Sequence, residues 1–323
     1  MNALVSISVP TYERAELAKI CLESLRDQTY ANIEVSVFDN SGTGDIEKLV
    51  MEIGDPRFSY NRNDPGVSDI LILNHRRAFA PRKGKYHFVL TSDYALAPSA
   101  ISKMVEALET NPGICAVSCG TKTLDLKSGK ETPERDKLVE SKHYDKADQT
   151  LDSTSLVISA FSSFSGVGLV YHSLLHSSLL ENRMISDIYF NHASEHHLGL
   201  ELLMVKPKFG YIAEPLKISI ENNDHYSEQR YRGNAHFAQW ICREMFFTQH
   251  YAELTARNYP ILKMRLGIIR GYLRASMSRH PADAVFEPLL LAMRQLTPVL
   301  AACAVGILLS PIYVVRKLFR RAR

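Results

Sequence analysis

Three short polar segments follow apolar runs in the first hundred residues, and their side chains are of the kinds that contact polar ligands. The segments are Pro10–Arg14, Asp39–Gly42 and Thr91–Asp93, and the runs before them are Leu4–Val9, Ile33–Phe38 and Tyr86–Leu90. Carboxylates accept hydrogen bonds and ligate hard divalent cations, and hydroxyl and guanidinium groups donate to phosphate or base atoms. We expect the three segments to line one shared pocket.

The elements that must position these segments alternate between strand and helix. The apolar runs predict strands, with a further one at 58–60, and helical spacing of apolar residues predicts helices at 14–28, 45–53, 70–80 and 98–108. Repeated units of this length predict an α/β fold with a mostly parallel sheet flanked by helices. Ligands of such sheets bind beyond the carboxyl ends of the strands, where the polar segments lie. The absence of Gly-x-Gly-x-x-Gly and of a Walker-type loop argues against a dinucleotide dehydrogenase or a phosphate-loop enzyme.

Several stretches of the chain resemble family 2 glycosyltransferases of the GT-A fold. The opening VSISVPTYERAELAKICLESLRDQTYANIEVSVFDNSG is similar to the start of that family, and FVLTSDYALAPSAISKMVEAL is similar to its strand, Asp-x-Asp motif and helix. The later stretch SEHHLGLELLMVKPKFGYIAEPL is similar to its acceptor-side helix and strand. The spacing from Asn74 to Gly84 is similar to the corresponding spacing in the abequosyltransferase-like branch of the family, which acts in O-antigen synthesis. The resemblance covers about the first 220 residues.

The resemblance implies inverting transfer of a sugar from a UDP, CDP or GDP sugar to a glycan or lipid-linked acceptor in bacterial surface polysaccharide synthesis. It also implies a set of residues that bind the nucleotide, namely Pro10, Thr11, Tyr12, Arg14, Asp39, Asn40, Asn74 and Ser92. Within this set, Asp39 is expected to accept a hydrogen bond from the base. A turn or helix-capping role is the alternative for Thr11 and for Asp39.

The Asp-x-Asp motif of the family aligns with Thr91-Ser92-Asp93, so the first carboxylate is missing. This leaves Asp93 as the expected metal ligand, with Mg²⁺ or Mn²⁺ as the cofactor. Magnesium commonly uses one or two protein carboxylates together with phosphate oxygens and waters, so a single Asp is compatible with binding. Strand-end capping is the alternative for Asp93.

The family commonly uses the Asp of a Glu-Asp pair as the base that deprotonates the acceptor, and this chain has Glu195-His196-His197 instead. The catalytic candidates are therefore His196, which takes the place of the Asp, and Glu195. We expect His197 to be an ordinary helix-face residue. In the segment 222–232 the side chains of His225, Arg230 and Arg232 are candidates to close over a diphosphate, with a solvated charged loop as the alternative.

The predicted domain organisation has three parts. Residues 1–232 form the GT-A nucleotide-sugar glycosyltransferase domain, with 120–154 as a surface excursion, residues 233–295 a helical appendage, and residues 296–323 an apolar and basic C-terminus. The last part contains PVLAACAVGILLSPIYVV followed by RKLFRRAR, a pattern that favours contact with an anionic membrane surface, whether peripheral, monotopic or single-pass. A buried C-terminal helix is the alternative.

Composition limits the function classes. A net charge of +3 with 23% charged residues does not indicate a nucleic-acid partner, and the five cysteines are scattered rather than paired. The N-terminus carries no export pattern, so we expect the chain at the cytoplasmic face of the cell membrane. The competing hypothesis is a non-catalytic nucleotide-sugar or glycan-binding module tethered to the membrane, which the missing Asp-x-Asp and Glu-Asp carboxylates favour.

Overall fold

The computed structural model describes residues 2–63, 74, 77–80, 83–133, 144–161, 172–180, 194–221 and 234–276. The chain divides into two compact units. The first contains Met1–Val157 and Gly166–Asp224, and the second contains Ile158–Ser165 and His225–Arg323.

The larger unit alternates strand and helix up to residue 62, as the apolar periodicity predicts, whereas most of the helix predicted at 70–80 lies outside the described residues. Its elements are β1 (Val5–Thr11), α1 (Ala15–Arg26), β2 (Ile33–Asp39), α2 (Asp45–Ile53), β3 (Phe58–Arg62), β4 (Tyr86–Val89), β5 (Tyr94–Leu96) and α3 (Ala100–Thr110). The elements that follow are β6 (Ile114–Asp125), β7 (Glu131–Pro133), β8 (Tyr144–Asp145), β9 (Thr150–Asp152), α4 (Ser153–Ala160), β10 (Leu174–His176), α5 (Ser194–Val205) and β11 (Lys208–Glu221).

The strands form one sheet in the order β3-β2-β1-β4-β10-β6-β11-β9-β8, with β5 paired to β11 and β7 to β6. The pairs among β1 to β4 are parallel, as is the pair of β6 with β11, whereas β10 runs antiparallel to both β4 and β6. The prediction of a mostly parallel sheet is therefore right for the first four strands and wrong for the sheet as a whole. The reason is that the short strand β10 runs antiparallel between β4 and β6, and that the hairpin-length links from β6 to β7 and from β8 to β9 permit only antiparallel pairing.

The hydrophobic core lies on β1, which is buried along its whole length, and on the helices that pack against it. Helix α1 buries the stripe Leu17, Ala18, Cys21, Leu22 and Leu25, whose three- and four-residue spacing places it on one face. Gly84 lies where a β-carbon would be 2.7 Å from the backbone nitrogen of Ser6, so only glycine lets the chain approach β1 this closely before β4.

The segment 120–154, predicted as a surface excursion, contributes to the sheet in its described part. It contains the end of β6 and the short strands β7, β8 and β9. Residues 126–133 are all exposed, so the polar composition of this segment reflects a solvent-facing hairpin.

The described part of the second unit is helical, with α6 (Asn234–Gln249), α7 (Tyr251–Ala256) and α8 (Ile261–Ser276). Arg243 is buried on α6, where its Nε donates a 2.6 Å hydrogen bond to the carbonyl of Ala160 and its guanidinium lies 4.6 Å from the Trp240 ring centroid. Burial lowers the pKa of Arg243 to about 10. Glu244, also buried, pairs with Arg265 of α8. These three helices lie within the range 233–295, whose assignment as a helical appendage stays a prediction.

No helix in the described residues combines the length and apolar character required to cross a bilayer. The predicted membrane-associating segment 296–323 lies outside the described residues.

Candidate functional site

Strand register brings the three polar segments to one edge of the sheet. In the parallel pair of β1 and β2, Thr11 lies opposite Asp39. In the parallel pair of β1 and β4, Ser8 lies opposite Val89, so the chain leaves β4 toward Asp93 at the same edge. The convergence that the sequence predicted is therefore present.

Asp39 is completely buried, and its carboxylate accepts hydrogen bonds from the protein itself. Its Oδ1 accepts from the backbone N–H of Ser41 at 2.7 Å and from the Ser41 hydroxyl at 2.5 Å, and its Oδ2 accepts from the Tyr60 hydroxyl at 2.9 Å. Burial and the hydrogen bond to Asp39 raise the pKa of Tyr60 to about 12, so this hydroxyl remains a donor at neutral pH. Asp39 thus joins the ends of β2 and β3. Contact between Asp39 and a base stays a prediction.

A network of amide side chains lies beside Asp39 where β1, β2 and β3 end. The Asn63 amide donates to Asn40 and, at 3.0 Å, to Asn74 Oδ1, and it accepts from the guanidinium of Arg77. Asn74 in turn donates to the backbone carbonyl of Thr11 at 3.2 Å. Asn40 is half-buried, whereas Asn63 and Asn74 are buried. The site therefore offers amide groups, which both donate and accept, beside the one carboxylate of Asp39.

The predicted residues of the β1 segment differ in their surroundings. Pro10 and Thr11 are buried in β1, and the Thr11 hydroxyl is a buried polar atom that finds no hydrogen-bond partner within the described part of the chain. Tyr12 is half-buried, and Arg14 precedes the first turn of α1. Between them, the backbone N–H of Glu13 donates a 2.8 Å hydrogen bond to Ser41 Oγ. This bond connects the polar segment Pro10–Arg14 to the polar segment Asp39–Gly42.

Asp93 lies in a four-residue turn that follows β4 and is closed by a 3.0 Å hydrogen bond from the Tyr94 N–H to the Thr91 carbonyl. Ser92 is buried and Asp93 is half-buried. The Asp93 Oδ1 is buried, and no described residue lies within hydrogen-bond distance of it. Burial, followed by the charge of Asp93, raises the pKa of the Cys21 thiol, so this cysteine stays protonated. A buried carboxylate oxygen of this kind fits a cation ligand.

His172, which the sequence analysis did not select, contacts the same turn. Its Nε2 lies 2.9 Å from Thr91 Oγ1, and its ring centroid lies 4.1 Å from that of Tyr94. The Lys217 ammonium of β11 lies 5.8 Å from the Tyr94 ring centroid. Positive charge and an imidazole therefore lie close to the Asp93 turn.

Glu195 and His196, the predicted catalytic pair, lie in the first turn of helix α5. The structure describes their backbone but not their side chains. His197 is described, and its Nε2 lies 3.2 Å from Glu201 Oε1 one helical turn later. This contact fits the helix-face interpretation of His197. The predicted diphosphate residues His225, Arg230 and Arg232 also lie outside the described residues.

Sequence reasoning missed Asn63, Tyr60 and His172. Asn63 directly follows β3, so the strand-end rule would have selected it had β3 been extended to Arg62. Tyr60 lies within β3, and His172 is about eighty residues away from Thr91 along the chain, so no local pattern indicates either contact. In the part of the chain that the structure describes, no three His, Cys, Asp or Glu side chains gather into a metal-binding group.

Residues 6–165 match the family model described as glycosyl transferase family 2, and the matched range contains all three polar segments. An uncharacterized glycosyltransferase of Rickettsia typhi is 27% identical over 181 residues, which cover 55% of this chain and 50% of that protein. The chain thus spans about half the length of the first curated relatives that it matches. The UDP-Glc:alpha-D-GlcNAc-diphosphoundecaprenol beta-1,3-glucosyltransferase WfaP of Escherichia coli is 31% identical over 107 residues, covering 33% of this chain and 42% of that protein.

Among solved structures, S. aureus TarS 1-349 in complex with UDP is similar with a TM-score of 0.56 and 14% identity, and the match covers 99% of this chain and 92% of that chain. At this identity the likeness shows the fold alone. The predicted GT-A-like architecture is thereby confirmed as a mixed α/β sheet flanked by helices.

Proposed function

Residues 6–165 carry a glycosyl transferase family 2 domain, and from this premise we propose that the protein is an inverting glycosyltransferase. It moves a sugar from a nucleotide diphosphate sugar to a glycan or lipid-linked acceptor in bacterial surface polysaccharide synthesis. The observation that carries the proposal is the carboxylate of Asp93, whose buried Oδ1 has no hydrogen-bond partner among the described residues and stands at the edge where three polar strand ends converge.

The metal requirement follows from the leaving group. Asp93 would hold a Mg²⁺ or Mn²⁺ ion, which when bound neutralises the charge that the diphosphate gains as the glycosidic bond breaks. The fit rests on the buried Oδ1 of Asp93, because an orphaned carboxylate oxygen costs free energy unless a ligand satisfies it. Thr91 takes the place of the first acidic residue of the motif, so one protein carboxylate is proposed to suffice.

The donor nucleotide is proposed to lie against the ends of β1 and β2. Thr11 offers a buried hydroxyl without a described partner, Asn40 offers a half-buried amide, and Tyr12 offers a half-buried ring. TarS, whose fold this chain shares, was solved with UDP, which supports a nucleotide ligand for this chain. His225, Arg230 and Arg232 are proposed to contact the diphosphate, and an assignment to the abequosyltransferase-like branch stays a prediction.

The acceptor is proposed to meet its base at the first turn of α5. Inversion requires a base on the face of the sugar opposite the leaving diphosphate, and His196, or Glu195 in its place, would take the acceptor proton. We expect transfer by the His196→Ala protein to fall by about 10² to 10⁴ with donor binding retained. Near-normal transfer by both His196→Ala and Glu195→Ala would place the base elsewhere.

The segment 296–323 is proposed to hold the protein at the cytoplasmic face of the cell membrane, because five of its last eight residues are basic and follow an apolar run. A lipid-linked acceptor would then lie at the same surface. Flotation of the protein with anionic vesicles tests this, with a chain truncated after Gln295 as the control, and equal flotation of both would contradict it.

The second candidate function is a non-catalytic nucleotide-sugar or glycan-binding module, which the loss of the first acidic residue at Thr91 favours. A panel of UDP, CDP and GDP sugars, with Mn²⁺ or with EDTA, separates the two functions. A transferase releases free nucleoside diphosphate from one donor only when the metal is present, whereas a binding module gains thermal stability with that donor and releases nothing. A ligand at 100 times its Kd adds about 2.7 kcal/mol, which a thermal shift detects. If no donor releases nucleoside diphosphate and none raises the thermal midpoint, both candidate functions are refuted.

A further inference from the structure

We propose that His172 is a positioning residue that clamps both ends of the turn carrying Asp93 and thereby sets the affinity of the site for a divalent cation. The inference rests on the proposed function in that Asp93 is the proposed cation ligand. It adds a residue that belongs to none of the three polar segments.

One side chain contacts both ends of the turn. His172 Nε2 lies 2.9 Å from Thr91 Oγ1 and also accepts the backbone N–H of Thr91 at 3.4 Å. The same ring packs against Tyr94 at 4.1 Å between centroids. Since Thr91 and Tyr94 are the first and last residues of the turn, the imidazole holds both of its ends while Ser92 and Asp93 lie between them.

The backbone at His172 supports a role beyond filling space. His172 has a φ of +59°, a left-handed conformation that costs free energy in a residue with a β-carbon, and its side chain is only 8% exposed. Such conformations persist where the surroundings over-determine them, and they concentrate at ligand-binding sites. Here the conformation directs the imidazole to Thr91.

The clamp matters because cation coordination tolerates little displacement. Mg²⁺ requires oxygens at about 2.0–2.1 Å in near-octahedral geometry, so a small rotation of the turn moves the Asp93 Oδ1 out of range. The far side of the turn is held by a 2.9 Å hydrogen bond from the Ile220 N–H to the Asp93 carbonyl, which fixes the backbone of Asp93 to β11. The clamp by His172 and this bond together define the direction of the carboxylate.

The test uses three variants of the full chain and one control. His172→Gly suits the left-handed backbone and removes the imidazole, His172→Gln keeps an acceptor able to reach Thr91, and Thr91→Val removes the hydroxyl with little change of shape. The control is His176→Gln, because His176 lies four residues later and packs its ring against Tyr86, with centroids 4.9 Å apart, away from the turn. Mn²⁺ binding is measured by the loss of its free-ion paramagnetic resonance signal, with and without UDP, CDP or GDP, alongside the thermal midpoint of the unliganded protein.

We expect His172→Gly to weaken Mn²⁺ binding by about 10- to 100-fold and also to lower the unliganded thermal midpoint, because the loss of a buried ring outweighs the relief of the left-handed backbone. His172→Gln should restore most of the affinity, Thr91→Val should lose part of it, and the His176→Gln control should bind as the wild type does. Unchanged Mn²⁺ affinity in His172→Gly overturns the proposal. So does a loss of affinity that tracks a fall in the thermal midpoint and that His172→Gln does not restore.

The same measurements separate this inference from the proposed function. Mn²⁺ binding by the wild type that depends on His172, without release of nucleoside diphosphate from any donor, refutes the transferase and supports the clamp. Release of nucleoside diphosphate that proceeds equally in the wild type and in His172→Gly, with equal Mn²⁺ affinity, supports the transferase and refutes the clamp. A wild-type protein that binds no Mn²⁺ with any nucleotide refutes the clamp, and with it the metal-dependent form of the proposed function.

Discussion

Asp39 and Asp93 end neighbouring regions of the same sheet edge, and the structure treats their carboxylates in opposite ways. Asp39, at the end of β2, is completely buried and accepts three hydrogen bonds from Ser41 and Tyr60. Asp93, after β4, is half-buried and keeps one buried oxygen without a partner among the described residues. Both stand at the end of an apolar run, so strand-end position alone predicts a ligand contact for both.

The difference teaches that the donors within reach, both local and from a neighbouring strand, decide what a strand-end carboxylate does. At Asp39 the tyrosine of the adjacent strand β3 supplies a donor, and a serine two residues later supplies two more. At Asp93 the nearby polar groups, Thr91 and His172, bind each other. The first carboxylate is therefore saturated by protein donors, whereas the second keeps an oxygen that we propose receives a ligand.

The largest expected effect is at Asp93. Asp93→Asn should lower metal-dependent transfer by about 10² to 10³, because the cation contributes several kcal/mol to transition-state stabilisation and each 1.36 kcal/mol is about tenfold in rate. Initial rates at saturating donor measure the loss, and the thermal midpoint should be unchanged. Asp148→Asn is a matched control, since this aspartate is exposed in an ion pair with Lys208. An unchanged rate for Asp93→Asn would refute the assignment of Asp93.

A smaller effect, and on stability, is expected at Asp39. Asp39→Ala should lower the free energy of unfolding by about 1–3 kcal/mol, because it leaves the donors of Ser41 and Tyr60 without their acceptor. Urea unfolding curves measure the change. The same substitution at Asp93, which leaves no donor stranded among the described residues, should stay within about 0.5 kcal/mol of the wild type. Equal losses for the two alanine variants would remove the distinction between the two carboxylates.

The smallest effect is expected at Tyr60, and it depends on pH. Tyr60→Phe removes one hydrogen bond to Asp39 and should cost about 1 kcal/mol at neutral pH. The folded-state pKa of Tyr60 is raised from 10.0 to about 12, so the stability that this hydroxyl contributes is fully present below pH 10 and is lost as pH rises through 12. The difference in unfolding free energy between wild type and Tyr60→Phe should therefore shrink over that window. A difference that widens there would mean that Tyr60 does not donate to Asp39.

The early part of the fold was predictable because its elements alternate with clear periodicity. Helix α2 spans the predicted residues, and β1, β2 and β4 differ from the prediction by one or two residues at their ends. The direction of β10 was not predictable, because a three-residue strand carries no information about its partners. Its insertion between β4 and β6 makes the sheet mixed.

The site was predictable only in part. Strand ends predicted that Thr11, Asp39 and Asp93 lie near one another, since the carboxyl ends of parallel strands meet at one edge whatever the details of packing; their roles stay predictions. The pairing of His172 with Thr91 was not accessible, because it depends on how a segment some eighty residues later returns to the turn.

The sequence by itself determined which residue types stand at the ends of β1, β2 and β4, because local periodicity and turn chemistry act over a few neighbouring residues. Only the tertiary structure decided how the side chains of those residues are hydrogen-bonded. Hydrogen-bond saturation depends in part on donors that long-range packing brings within about 3 Å. Strand β3 brings the Tyr60 hydroxyl to Asp39, whose other two hydrogen bonds come from nearby Ser41, while the buried Oδ1 of Asp93 has no partner among the described residues.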